Sequence, residues 1–149
     1  MDIKQQLKDK CQEFLNQRLK TIQNTIDDIL NSLQSETKSS AGDKHETGRA
    51  MLQLEREKAG HQLSDIEKQN EILKKINPES KHQKVAFGSV VKTTNSNYFI
   101  AISAGEITVE NLGYYAISSA TPIAQLLLYK EVGNEIVFRG TKFTITEIQ

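Results

Sequence analysis

The sequence predicts an α+β protein of two domains, an N-terminal antiparallel α-helical coiled-coil hairpin followed by a small antiparallel sheet with one helix. Three observations predict it. Leu15, Leu19, Ile22, Ile26, Ile29 and Leu33 recur at alternating spacings of four and three, and Leu52, Ala59, Leu63, Ile66 and Leu73 resume that alternation with Arg56 and Asn70 as polar interruptions. Each set lines one stripe of a helix. The polar, small-residue break Ser39-Ser40-Ala41-Gly42-Asp43-Lys44-His45-Glu46-Thr47-Gly48 between them folds the two stripes onto each other. From Val85 onward the periodicity changes to short β-rich runs.

Helix one is expected over about residues 3–36. Its first apolar positions, Ile3, Leu7, Cys11 and Leu15, are each four apart, a stutter that locally unwinds a coiled coil and suits packing on something other than the second helix. Helix two is expected from Asp43 or Glu46 to Ile76, because Pro78 lacks an amide and disfavours helical geometry at Asn77. Arms of about 30 residues at ~1.5 Å per residue make a rod about 45 Å long, with the break as its tip. The hairpin domain is therefore 1–77, the polar stretch 78–84 a linker, and 85–149 the second domain. Within that domain, strands are expected over 85–93, 97–103, 106–109, 114–118, 135–138 and 142–148. Thr121 followed by Pro122 reads as an N-cap and first helical position, with Ile123, Ala124 and Leu126 to Leu128 as an apolar face. Gly133-Asn134 and Arg139-Gly140 are turn signals.

Composition excludes several function classes. The 149 residues carry 19 Lys and Arg against 19 Asp and Glu, and neither half departs from neutrality by more than one charge. A protein that grips duplex nucleic acid through its backbone needs a cationic face, so contact with nucleic acid is expected to be local. The single cysteine, Cys11, lies on the apolar stripe and reads as a small buried hydrophobe, and no His and Cys set has zinc spacing. The charged, helical start and the short apolar runs predict no membrane span and a cytoplasmic protein. A seam closed by two arms of one chain needs no second copy, which predicts a monomer.

The chemistry-bearing residues gather at the tip. Asp43 and Glu46 are three apart, on one side of a helical turn. A pair of carboxylates with room for water is the usual protein contribution to a Mg2+ site, since that ion keeps most of its hydration shell. The same spacing is that of a capping box, the ordinary way a helix starts, and the two readings are compatible. His45 lies between the acids, but hydrated Mg2+ prefers oxygen, so it is read as a loop residue; His61 and His82 are expected at the surface. The second domain has no histidine or cysteine and reads as a docking module. Its aromatics, Tyr98, Phe99, Tyr114, Tyr115 and Tyr129, are expected mostly in the core.

Two stretches resemble the bacterial Gre (GreA/GreB) transcript cleavage factors. The segment Ile117-Ser118-Ser119-Ala120-Thr121-Pro122-Ile123-Ala124-Gln125-Leu126-Leu127-Leu128-Tyr129-Lys130-Glu131-Val132-Gly133-Asn134-Glu135-Ile136 is similar to that family's C-terminal motif, with Thr121 standing for a Ser, Tyr129 for a Gly and Asn134 for an Asp. The stretch Gly42-Asp43-Lys44-His45-Glu46 is similar to the family's tip motif. After it the family continues Asn-Ala-Glu-Tyr where this chain has Thr47-Gly48-Arg49-Ala50. The resemblance implies an FKBP-like C-terminal domain and a factor that binds RNA polymerase through its secondary channel and stimulates cleavage of backtracked transcripts. It implies no active site or cofactor of the chain's own. Asp43 and Glu46 would help hold Mg2+ shared with the polymerase active centre and position water. Lys44, His45 and Arg49 would make tip contacts, locally with the nascent RNA 3′ end. Thr121, Pro122, Ile123 and Tyr129 would dock on the polymerase. Two alternatives stand beside it: a channel-binding polymerase regulator without cleavage activity, and a coiled-coil chaperone or adaptor unrelated to polymerase.

Overall fold

The computed structural model describes residues 2–38 and 42–149, with the side chains of 36–38 and 42–46 outside that description. Helix α1 spans Ile3–Lys38 and α2 spans Gly42–Lys74. Six strands follow, β1 (Val90–Thr93), β2 (Asn97–Ala101), β3 (Gly105–Val109), β4 (Leu112–Ser118), β5 (Glu135–Phe138) and β6 (Thr141–Ile148), with α3 (Pro122–Leu127) between β4 and β5. The chain divides into two compact units, one of residues up to Phe14 together with Asn70–Gln149, the other Leu15–Gln69.

The Leu15–Gln69 unit is a helical hairpin. Ile22, Ile26 and Ile29 of α1 and Ala59 and Ile66 of α2 are buried, at the positions where the alternating stripes place them. Gln17, Arg18, Thr21, Ile22 and Thr25 of α1 line one groove with Gln62 and Ile66 of α2, so the helices lie side by side. The charged positions between stripe residues face water, as at Glu55, Glu57 and Lys58.

In the other unit the strands form one sheet in the order β3-β4-β2-β1-β6-β5. It is not wholly antiparallel as expected: β2 and β4 pair in parallel, Tyr98 opposite Tyr115 and Ile100 opposite Ile117. β3 lies on the outer side of β4, so the chain leaving β2 reverses into β3, reverses again into β4, and β4 meets β2 in the same direction. The β3–β4 and β5–β6 hairpins close through two-residue loops with left-handed backbone at Glu110 and Asn111 (φ 52° and 66°) and at Arg139 and Gly140 (φ 50° and 79°). This is the turn whose twist matches that of paired strands.

The expected first strand is also shorter than its apolar run. Val85 to Ser89 is a tight turn: Ser89 N donates to Ala86 O (3.0 Å), Ser89 Oγ accepts from Ala86 N (2.9 Å), and Gly88 has φ 88°. The turn already bonds to β2 through Gly88 N and Ser89 O on Ile100, but the regular ladders with β2 and β6 begin at Val90 and Val91.

Each face of the sheet buries part of its strands. On one, Val91, Tyr98, Ile100, Phe143 and Ile145 pack with Ile123, Ala124 and Leu127 of α3 and with Val85. On the other, Phe99, Ile107, Val109, Tyr114 and Ala116 are buried with them in the same unit as Leu7 and Cys11 of α1 and Leu73 and Ile76 of α2. Gln6 Nε2 donates to Glu110 Oε1 (3.4 Å), and a Cβ at Gly88 would lie in ordinary van der Waals contact with Ile76 Cγ2, at 3.5 Å. The fourfold spacing at the start of α1 thus serves the sheet-bearing unit. Of the aromatics, Tyr98, Phe99 and Tyr114 are core, whereas Tyr115 and Tyr129 are exposed.

Cys11 is fully buried, and that burial pushes its thiol up from 9.0 to about 12. The folded state holds this proton more tightly than the unfolded chain, so the associated stability is complete below pH 9.0 and is lost as the pH rises toward about 12. The thiol should resist iodoacetamide at about pH 8 in the native protein and alkylate fully in denaturant, read by mass spectrometry.

Candidate functional site

The residues singled out in the sequence fall in two places. The first is the junction of α1 and α2. The backbone of α2 begins at Gly42, so Asp43 and Glu46 are one turn apart in its first turn, where the helix dipole favours carboxylates. The side chains of Asp43, Lys44, His45 and Glu46 lie outside those described. Arg49 is exposed one turn further on. Among the described residues no three of His, Cys, Asp and Glu converge as a metal set.

The second place is the segment around α3, where local chemistry accounts for each residue. Thr121 is extended (φ −69°, ψ 151°) and its Oγ1 accepts from Ala124 N at 3.3 Å. The same hydroxyl donates to Ser118 O at 2.8 Å. Pro122 takes the first helical position, where its missing N–H is not needed. After Leu128 the chain turns left-handed at Tyr129 (φ 69°), the ordinary way for a helix to end and one that favours Gly. That geometry is held by an exchange with the turn before β1, Tyr129 N to Val85 O (2.8 Å) and Val85 N to Lys130 O (2.9 Å). Next, Gly133 is left-handed (φ 93°), and Asn134 Oδ1 accepts from Glu131 N at 2.8 Å. Any side chain with an oxygen at that position, Asp included, can accept that bond.

Of the four residues expected to dock, Pro122 and Tyr129 are exposed, Tyr129 by 77%, Thr121 is half-buried, and Ile123 lies in the core. Leu126 and Val132 add exposed apolar surface beside Tyr129 in the chain. Sequence reasoning missed this exposure because Leu126 reads as part of the helix's apolar face. It also missed His82, which is half-buried with a buried Nδ1 that has no hydrogen-bond partner among the described residues.

A Tyr in left-handed backbone costs roughly 1–2 kcal/mol. Tyr129→Gly should therefore raise stability by about 0.5–1 kcal/mol, after the greater freedom of Gly in the unfolded chain is subtracted. Urea titration followed by circular dichroism checks this.

No family model matches the chain, and no curated protein matches it. Among solved structures, it is similar to GreA factor homolog 1 (Gfh1) of Thermus thermophilus, at 20% identity over 92% of this chain and 93% of that one, with a TM-score of 0.38. It is likewise similar to a structure of the transcription factor Gfh1, at 20% identity over 92% of each chain and a TM-score of 0.36. Among the described residues no helix is long and apolar enough to cross a membrane.

Proposed function

We propose that this protein is a Gre-like transcription factor that binds RNA polymerase, enters its secondary channel with the helical hairpin and stimulates cleavage of backtracked transcripts. The observation that carries this reading is the residue-by-residue fit of the motif around α3. Thr121 caps the helix as Ser would, Tyr129 occupies a left-handed position that suits Gly, and Asn134 accepts the hydrogen bond that Asp would accept. All three differences from the resembled motif thus keep a local role, which supports aligning the chain with that motif from Ile117 to Asn134. The tip is then aligned by the order of elements, with Asp43 and Glu46 in the first turn of α2.

In this reading the chain is an activator and the active centre belongs to the polymerase. Asp43 and Glu46 would help hold a Mg2+ ion shared with that centre and orient a water molecule, and the bound ion would supply charge stabilisation for phosphoryl displacement. Lys44, His45 and Arg49 contact the tip's surroundings, including the RNA 3′ end. Pro122 and Tyr129 offer exposed surface for docking, and Thr121 and Ile123 hold α3 in place beneath it. The protein acts as a monomer in the cytoplasm.

A photo-crosslinking amino acid at His45 tests the placement. Crosslinks to the polymerase active-centre region or the RNA 3′ end are expected. Crosslinks confined to the polymerase exterior would contradict it, and none at all with bound polymerase absent would favour an adaptor unrelated to transcription.

A further inference from the structure

Lys4, Lys8 and Gln12 are four residues apart, so the first turns of α1 present three long donors in a row on one face. Lys4 Nζ donates to Ser80 O at 2.8 Å, Lys8 Nζ to Ile76 O at 2.8 Å, and Gln12 Nε2 to Asn70 Oδ1 at 2.9 Å. The acceptors run in the opposite chain order, as an antiparallel partner requires. Two of them are backbone carbonyls beyond the end of α2 at Lys74, where no further helical turn supplies a donor. Cations are also favoured at that pole of a helix.

Lys4 is the unusual member. Only 1% of it is exposed, a burial lysine almost never shows unless it is paired. Burial pushes its ammonium below the usual lysine range, with Asp2 acting in the opposite sense. An apolar residue there would be easier to desolvate, but it would leave Ser80 O without this donor and would accept other registers equally well. A buried polar group in a helical seam costs stability and in return rejects alternative pairings.

We infer that Lys4, Lys8 and Gln12 form a donor ladder that seats the end of α2 and the Asn77–Ser80 turn on α1 in a single register. Lys4 discriminates because a slipped helix leaves its ammonium buried without an acceptor. The inference rests on this fold and not on the proposed function, so either can fail alone.

Amide hydrogen exchange by NMR on the full chain tests it. In Lys4→Met the amides of Lys75, Ile76 and Ser80, which hold turn hydrogen bonds, should exchange about 10-fold faster or more. The amides of Ile100 and Tyr129, bonded to Ser89 O and Val85 O, should keep their rates. Unchanged exchange at Lys75 to Ser80, or equal acceleration at Ile100, would overturn the ladder as a local device. Lys8→Met removes the half-buried rung and is read in the same way if Lys4→Met does not fold.

Discussion

On the proposed function, Asp43→Ala and Glu46→Ala should each lower the stimulated transcript cleavage by backtracked RNA polymerase by about 100-fold or more, the scale on which removing one group that stabilises developing charge acts. Binding to the polymerase should stay within a few-fold of wild type, because the proposed docking residues are those around α3. The two acids stand one turn apart at the start of α2, so neither can take over the other's position. Their alternative role, capping α2, predicts a different result. Loss of a cap costs about 1 kcal/mol, which shows in helix content and thermal stability and leaves any cleavage activity nearly intact. Measuring cleavage, binding and circular dichroism on the same variants separates the two roles.

Leu127→Ala should destabilise the sheet-bearing unit by about 2–5 kcal/mol. Leu127 is fully buried and joins Ile123 and Ala124 in covering Tyr98, Ile100, Phe143 and Ile145. Truncation removes apolar contact from that cluster at a helix only six residues long. Val137→Ala, on a side chain 61% exposed, should change stability by no more than about 0.5 kcal/mol. Urea unfolding of both variants, read by near- and far-ultraviolet circular dichroism, checks the contrast.

Much of this architecture was legible in the residues. The alternation from Leu15 to Leu33 marked the buried stripe of α1, and the Thr121-Pro122 pair placed the start of α3 because capping is a local event. Strand β5 came out at Glu135–Phe138 as expected, bounded by Gly133-Asn134 and Arg139-Gly140. Pairing that depends on distant residues was not legible. Nothing within β2 or β4 says that they run parallel, since that follows from where β3 sits. The apolar run from Val85 reads as strand, yet the left-handed Gly88 and the Ser89 hydroxyl turn it into a loop.

The candidate site divides along the same line. Spacing singled out Asp43 and Glu46, whose side chains lie outside those described, and Tyr129 was singled out by its place in a motif where the resembled family carries Gly. The buried Lys4 escaped, because hydropathy scores a lysine as solvent-facing and its acceptor, Ser80 O, lies 76 residues away in the chain. The exposure of Leu126 and Val132 beside Tyr129 also escaped, since apolar character alone does not tell a core face from a contact face.

The most direct measurement of the central claim is transcript cleavage by stalled, backtracked complexes of the cognate RNA polymerase with and without the wild-type protein. The account predicts a marked acceleration that requires Mg2+, yielding short 3′ RNA fragments and complexes that resume elongation. Saturating binding with an unchanged cleavage rate would contradict it, and would make the protein a polymerase regulator whose tip, with Arg49 where the resembled family carries an acid, no longer supports cleavage.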